Sequence, residues 1–147
     1  MSRIPRFLEH LKTGFTAEAT SAARYRAYAD RARRDGLPHL AERWLRAAAA
    51  KDALAVEMLE AAEQVRGLDA DIGNAISEER YENDVLYPKM IRDVDEATAN
   101  VFLRVVNAQK ESLRLLESMR EEANAAQGDV SLPPEVDRGT APSAPES

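Results

Sequence analysis

The chain has no cysteine, two histidines, one tryptophan and three phenylalanines in 147 residues. Without thiolates it can carry no disulfide, no cysteine nucleophile, and no iron–sulfur or rubredoxin-type centre. No Gly-rich phosphate loop and no period-two alternation of apolar residues occur, so strands are not expected. There is no run of 18 apolar residues, and the start, MSRIPRFLEHLK, mixes charge into its apolar positions. Neither a membrane span nor an export signal is therefore expected, and the expected location is cytoplasmic.

What is present is an alanine-rich composition, 44% hydrophobic and 31% charged, of the kind that builds all-α domains. The net charge of −6 hides an asymmetry. Residues 1 to 66 carry 12 Lys and Arg against 9 Asp and Glu, whereas residues 67 to 147 carry 8 against 17. The halves thus stand at +3 and −9 and should attract, within or between subunits. The arginines of the first half are interleaved with acids and accompanied by few aromatics, a poor surface for nucleic acid.

Four apolar seams of helical period can be traced. The first runs Phe15, Glu18, Ala22, Tyr25, Ala29, Ala32; the second Leu40, Trp44, Ala47, Lys51, Leu54, Met58, Ala61, Val65. The third runs Ile72, Ala75, Glu79, Glu82, Leu86, Met90; the fourth Phe102, Val105, Gln109, Ser112, Leu116, Met119. A helix from about Thr16 to Gly36, after a short amphipathic lead-in, accounts for the first. Pro38 to Arg66 accounts for the second, with Gly67 ending it. A third helix, capped by Asp69, runs to about Val94 and should kink at Pro88. The fourth runs from an N-cap at Asp95 to about Ala126. The reading is one domain, residues 1–126, a four-helix bundle. Residues 127–147, with four prolines, form a disordered tail able to dock a protein partner.

Each seam is interrupted near its middle by residues foreign to a core, and burying charge without a partner is costly. Counted from the turns, the interruptions share a level: Glu18 with Lys51 about Gly36, and Glu79 and Glu82 with Ser112 and Gln109 about Glu96. The Lys51 ammonium is expected within reach of Glu18, Glu79 or Glu82, with Gln109 and Ser112 donating to what remains. Three carboxylates against one lysine leave about −2, to be offset by a proton, water or a further cation.

The segments AEATSAARYRAYADRARRDG (17–36) and ERYENDVLYP (79–88) resemble the rubrerythrin branch of the ferritin-like di-iron proteins. The resemblance covers residues 14 to 122. It implies a ferritin-like four-helix bundle in which Glu18, Glu79 and Glu82 fall on metal-ligand positions. Tyr25 falls on a tyrosine beside the metals and Tyr87-Pro88 on the family's Tyr-Pro. Buried di-iron bundles also need a Glu-x-x-His from each of two helices. Those positions hold Lys51 and Leu54 on the second helix, and Gln109 and Ser112 on the fourth. His10 and His39 lie off the site's levels and are expected on the surface.

The expectation is therefore a ferritin-like protein that has lost its redox centre, holds no cofactor and acts as a non-catalytic structural or interaction subunit. The alternative is a metal-binding oxidoreductase of the rubrerythrin type, reducing peroxide at an altered site with iron or another divalent metal, helped by Asp52. Asp52 points about 100° away from the seam. In a ferritin-like bundle the third helix runs parallel to the second, so the chain must return along about 43 Å of helix. Arg66 to Leu68 is too short for that. The bundle is then either up-down-up-down in one chain or a domain-swapped homodimer, and the charge asymmetry favours the homodimer.

Overall fold

The computed structural model describes residues 6–126 and 129–132. Among the described residues the chain is all-α, with no strand, and it divides into two compact units, Met1–Gly67 and Leu68–Ser147. The division falls at the charge boundary seen in the sequence. Most of the 127–147 tail lies outside the described residues; of its described part, Ser131 donates from Oγ to Glu122 Oε1 at 2.9 Å.

The first unit is an antiparallel hairpin of α1 (Phe7–Arg34) and α2 (Pro38–Ala61). α1 begins nine residues before the expected Thr16, and the lead-in is part of it. Thr16 does not cap: its hydroxyl donates back to the Lys12 carbonyl at 2.9 Å, the mid-helix use of threonine. Gly14 is tolerated because α2 approaches there. A Cβ at Gly14 would lie 2.6 Å from Met58 Sδ. α1 ends as expected. Gly36 takes a left-handed φ of 75°, its N–H donates to Arg33 O, and Leu37 N–H donates to Ala32 O. These are the two bonds of a Schellman cap.

α2 starts at Pro38, where a missing N–H costs nothing. It stops at Ala61, five residues short of the expected Arg66. The helix closes at Glu63, left-handed with φ 57°, and not at Gly67, whose φ of 138° lies beyond the helix end. Its N–H donates to Glu60 O, and Gln64 N–H donates to Leu59 O. A second Schellman cap thus offsets the roughly 1–2 kcal/mol that a left-handed L-residue costs.

The hairpin core is built of alanines. Ala22, Ala29 and Ala32 of α1 and Ala41, Ala48 and Ala55 of α2 are buried, with Trp44 and Leu45 packed beside them. Small side chains let two helices approach closely. On α2 this stripe sits one residue on from the expected seam, at Ala48 and Ala55 in place of Ala47 and Leu54. Leu40 and Leu54 are left 45% and 43% exposed.

The second unit pairs one long helical run with α5 (Glu96–Ala126). The run comprises α3 (Leu68–Tyr81), a π turn over Glu82–Leu86 and α4 (Tyr87–Ile91). α3 starts at Leu68, so Asp69 lies inside its first turn with Asp71, where carboxylates suit the helix dipole, and not at the cap. Asp95 precedes α5, and its carbonyl accepts the Ala99 N–H. The expected disturbance at Pro88 takes the form of the π turn. Proline has no N–H for residue 84, and its ring crowds that carbonyl. The helix responds by pairing the Tyr87 N–H with Glu82 O, five residues back.

Candidate functional site

The structure brings the seam interruptions together in pairs, one set in each unit. In the first unit Lys51 Nζ lies 2.9 Å from Glu18 Oε2, across the hairpin. The side chains are 31% and 21% exposed, so the pair lies at the edge of the alanine core and not deep within it. Tyr25 is half-buried on the same α1 stripe, its ring centroid 5.2 Å from that of Trp44.

The hydrogen bond and charge of Glu18 raise the Lys51 pKa above its ordinary 10.5; partial desolvation opposes them, and Tyr25 adds a smaller push upward. A cation whose folded pKa is raised contributes stability that is complete below its unfolded pKa and is lost as pH climbs through the folded value. The contribution should therefore be flat from neutral pH to about 10 and fade above it. Thermal midpoints of the wild type and Lys51→Met should differ at pH 8 and converge in strong alkali. Partial exposure makes the difference shrink in high salt.

In the second unit Ser112 Oγ donates to Glu79 Oε1 at 2.8 Å, and Gln109 Nε2 donates to Glu82 Oε2 at 2.7 Å. All four residues are half-buried. Arg80, between the two glutamates in sequence, turns outward to Glu117 at 2.6 Å. Tyr87 stacks on Phe102 with centroids 5.7 Å apart. Two acceptor atoms of this group, Glu79 Oε2 and Gln109 Oε1, are buried with no hydrogen-bond donor.

Asn83 was not anticipated from the sequence. It is the buried polar residue of the π turn, and its Nδ2 donates to the Val106 carbonyl at 3.1 Å, tying the turn to α5. The available signal was an amide five residues before a proline inside an apolar helix, where an unwound turn can place it inward.

The remaining candidates stay outside these groups. Asp52 is held by Arg26 Nη1 at 2.9 Å, with both side chains about half exposed. His10 and His39 are exposed, as expected, and Leu54 is 43% exposed. Among the described residues no three His, Cys, Asp or Glu side chains are gathered so as to hold a metal ion. A di-iron centre does not fit this donor set. Its imidazoles and bridging carboxylates have no counterpart, and the glutamates at the expected ligand positions are bonded to side-chain donors.

The class defined by these observations is an all-α protein of two helical hairpins, each carrying half-buried glutamates that face a lysine, amide or hydroxyl of the partner helix. Among the described residues no helix is long and apolar enough to cross a membrane. Compared with family models, curated proteins and solved structures, the chain matches none of them.

Proposed function

We propose that this is a ferritin-like protein of the rubrerythrin type that has exchanged its di-iron centre for side-chain pairing. It acts as a non-catalytic structural or interaction subunit in the form of a homodimer. One observation carries the reading. Of the four residues standing where the family has Glu-x-x-His, three face the surviving glutamates, Lys51 ion-paired with Glu18, Gln109 donating to Glu82 and Ser112 donating to Glu79, while the fourth, Leu54, is 43% exposed. Three donors in those three places are what a bundle needs once metal no longer neutralises its carboxylates.

Chain length supports the homodimer. α2 has 24 residues, about 36 Å of helix. The connection from Ala62 to Gly67 reaches at most about 20 Å. A ferritin-like topology, with α3 parallel to α2, then requires the first hairpin of one chain to pair with the second hairpin of another. A rubrerythrin-type oxidoreductase on an altered metal site is less well supported, since Asp52, the extra ligand it would recruit, is engaged by Arg26.

Metal analysis of protein purified without chelator tests the proposal. Iron, manganese and zinc should all be well below stoichiometric, and added iron should give neither an oxo-bridged absorption band nor saturable peroxide reduction. Near-stoichiometric metal or turnover would reverse the conclusion.

A further inference from the structure

Among the described residues no cation pairs with Glu79 or Glu82 across the second hairpin, and the first hairpin carries a partly exposed ammonium. Glu79 and Glu82 receive hydrogen bonds from Ser112 and Gln109, a hydroxyl and an amide that bring no charge. Glu79 Oε2 and Gln109 Oε1 are buried acceptors with no partner. Two carboxylates and a free amide oxygen call for a cationic group with several N–H bonds, and a primary ammonium supplies three. Lys51 is such a group. It spends one contact on Glu18, its side chain is a third exposed, and it lies on the α2 stripe with Leu40 and Leu54, both exposed. Its half of the chain stands at +3, and the half bearing Glu79 and Glu82 at −9.

We propose that the occupant of the second hairpin's acceptor group is Lys51 of a second copy. The ammonium keeps one N–H on its own Glu18 and offers the other two to Glu79 Oε2 and Gln109 Oε1 of the other chain, with its charge beside Glu82. The inference rests on the homodimer proposed above and specifies what holds it in register. Each dimer contains two such mixed sites. The apolar rim of Leu40 and Leu54 supplies contact area, and the ammonium supplies specificity, since a misaligned copy would leave the carboxylates without a cation.

The test is charge exchange between chains. Lys51→Glu alone gathers four carboxylates at each site, and the double variant Glu79→Lys, Glu82→Lys gathers three ammoniums. Each variant alone should be monomeric by sedimentation at micromolar concentration. Mixed one to one, they restore opposite charges at both sites, so native mass spectrometry should show a heterodimer in place of the two monomers. Homodimers as tight as wild type, or folded variants that stay monomeric when mixed, would overturn the staple.

If either charge-reversal variant loses its helical circular dichroism, the neutral pair Lys51→Met and Glu79→Gln is measured as a double-mutant cycle. Each should weaken the dimer about tenfold, and together by much less than the product. Additive losses would overturn the proposal. A wild-type dimer with no cross-chain coupling removes the staple but leaves the homodimer. A monomeric wild type removes both, and stoichiometric metal in the same preparation removes the non-catalytic reading independently.

Discussion

The variant carrying Lys51→Glu, Leu54→His, Gln109→Glu and Ser112→His together should bind iron or manganese, on the order of two ions per completed site. The four substitutions introduce a Glu-x-x-His on α2 and another on α5, at the positions the proposed ferritin-like reading assigns to ligands, near Glu18 in one case and Glu79 and Glu82 in the other. Without metal the variant should unfold at a lower temperature than wild type. The carboxylates introduced at positions 51 and 109 would face Glu18 and Glu82 with no donor between them. Added Mn(II) should raise the midpoint by mass action, with larger shifts at higher metal concentration. Inductively coupled plasma analysis and thermal scans with and without metal read both effects. No metal uptake by a folded variant would remove the ferritin-like assignment of these positions.

Ile76→Ala should cost about 3 kcal/mol of unfolding free energy. Ile76 is the largest fully buried side chain among the described residues, at 2% exposure on α3. The alanines of the first hairpin cannot collapse in the same way, and they respond to the opposite change. Ala29→Leu should force α1 and α2 apart and cost about 1–3 kcal/mol. Urea unfolding followed by circular dichroism measures the loss in each variant. A cost below about 1 kcal/mol for Ile76→Ala would mean that the second hairpin does not depend on this contact.

The heights of the site residues were legible in the sequence because the helical rise is constant. Counting from Gly36 brings Lys51, 15 residues after, and Leu54, 18 after, near the height of Glu18, 18 before, and the contact falls on Lys51; counting from Glu96 brings Ser112 and Gln109 to the heights of Glu79 and Glu82, which they contact. The azimuth of α2 was not legible. Ala47 to Ala50 are four consecutive alanines, so stripes a residue apart look equally apolar and only the facing helix selects Ala48 and Ala55.

Helix ends failed where tertiary contacts or caps overrode local preference. Thr16 looked like the start of α1, yet the helix runs back through Gly14, where Met58 fills the space a side chain would take. Gly67 looked like the natural stop for α2, yet Glu63 closes the helix through two backbone bonds that leave no trace in side-chain chemistry. Pro88 announced a disturbance without announcing its form, since a kink and a π turn relieve the same clash.

The π turn has a consequence for the phase of the chain. Pairing residues five apart puts one more residue into the helical run than an α-helix of the same rise would use, so Glu82–Leu86 acts as a one-residue insertion. In an uninterrupted α-helix an added residue would rotate everything downstream by about 100°; the wide turn absorbs it. The stretch through Tyr81 and the stretch from Tyr87 are therefore two rulers with independent zero points. The first is set by Glu79 against Ser112, the second by Tyr87 against Phe102. A related sequence one residue shorter in this segment would close the wide turn to an ordinary α turn and keep both the carboxylates and the Tyr-Pro step on their faces.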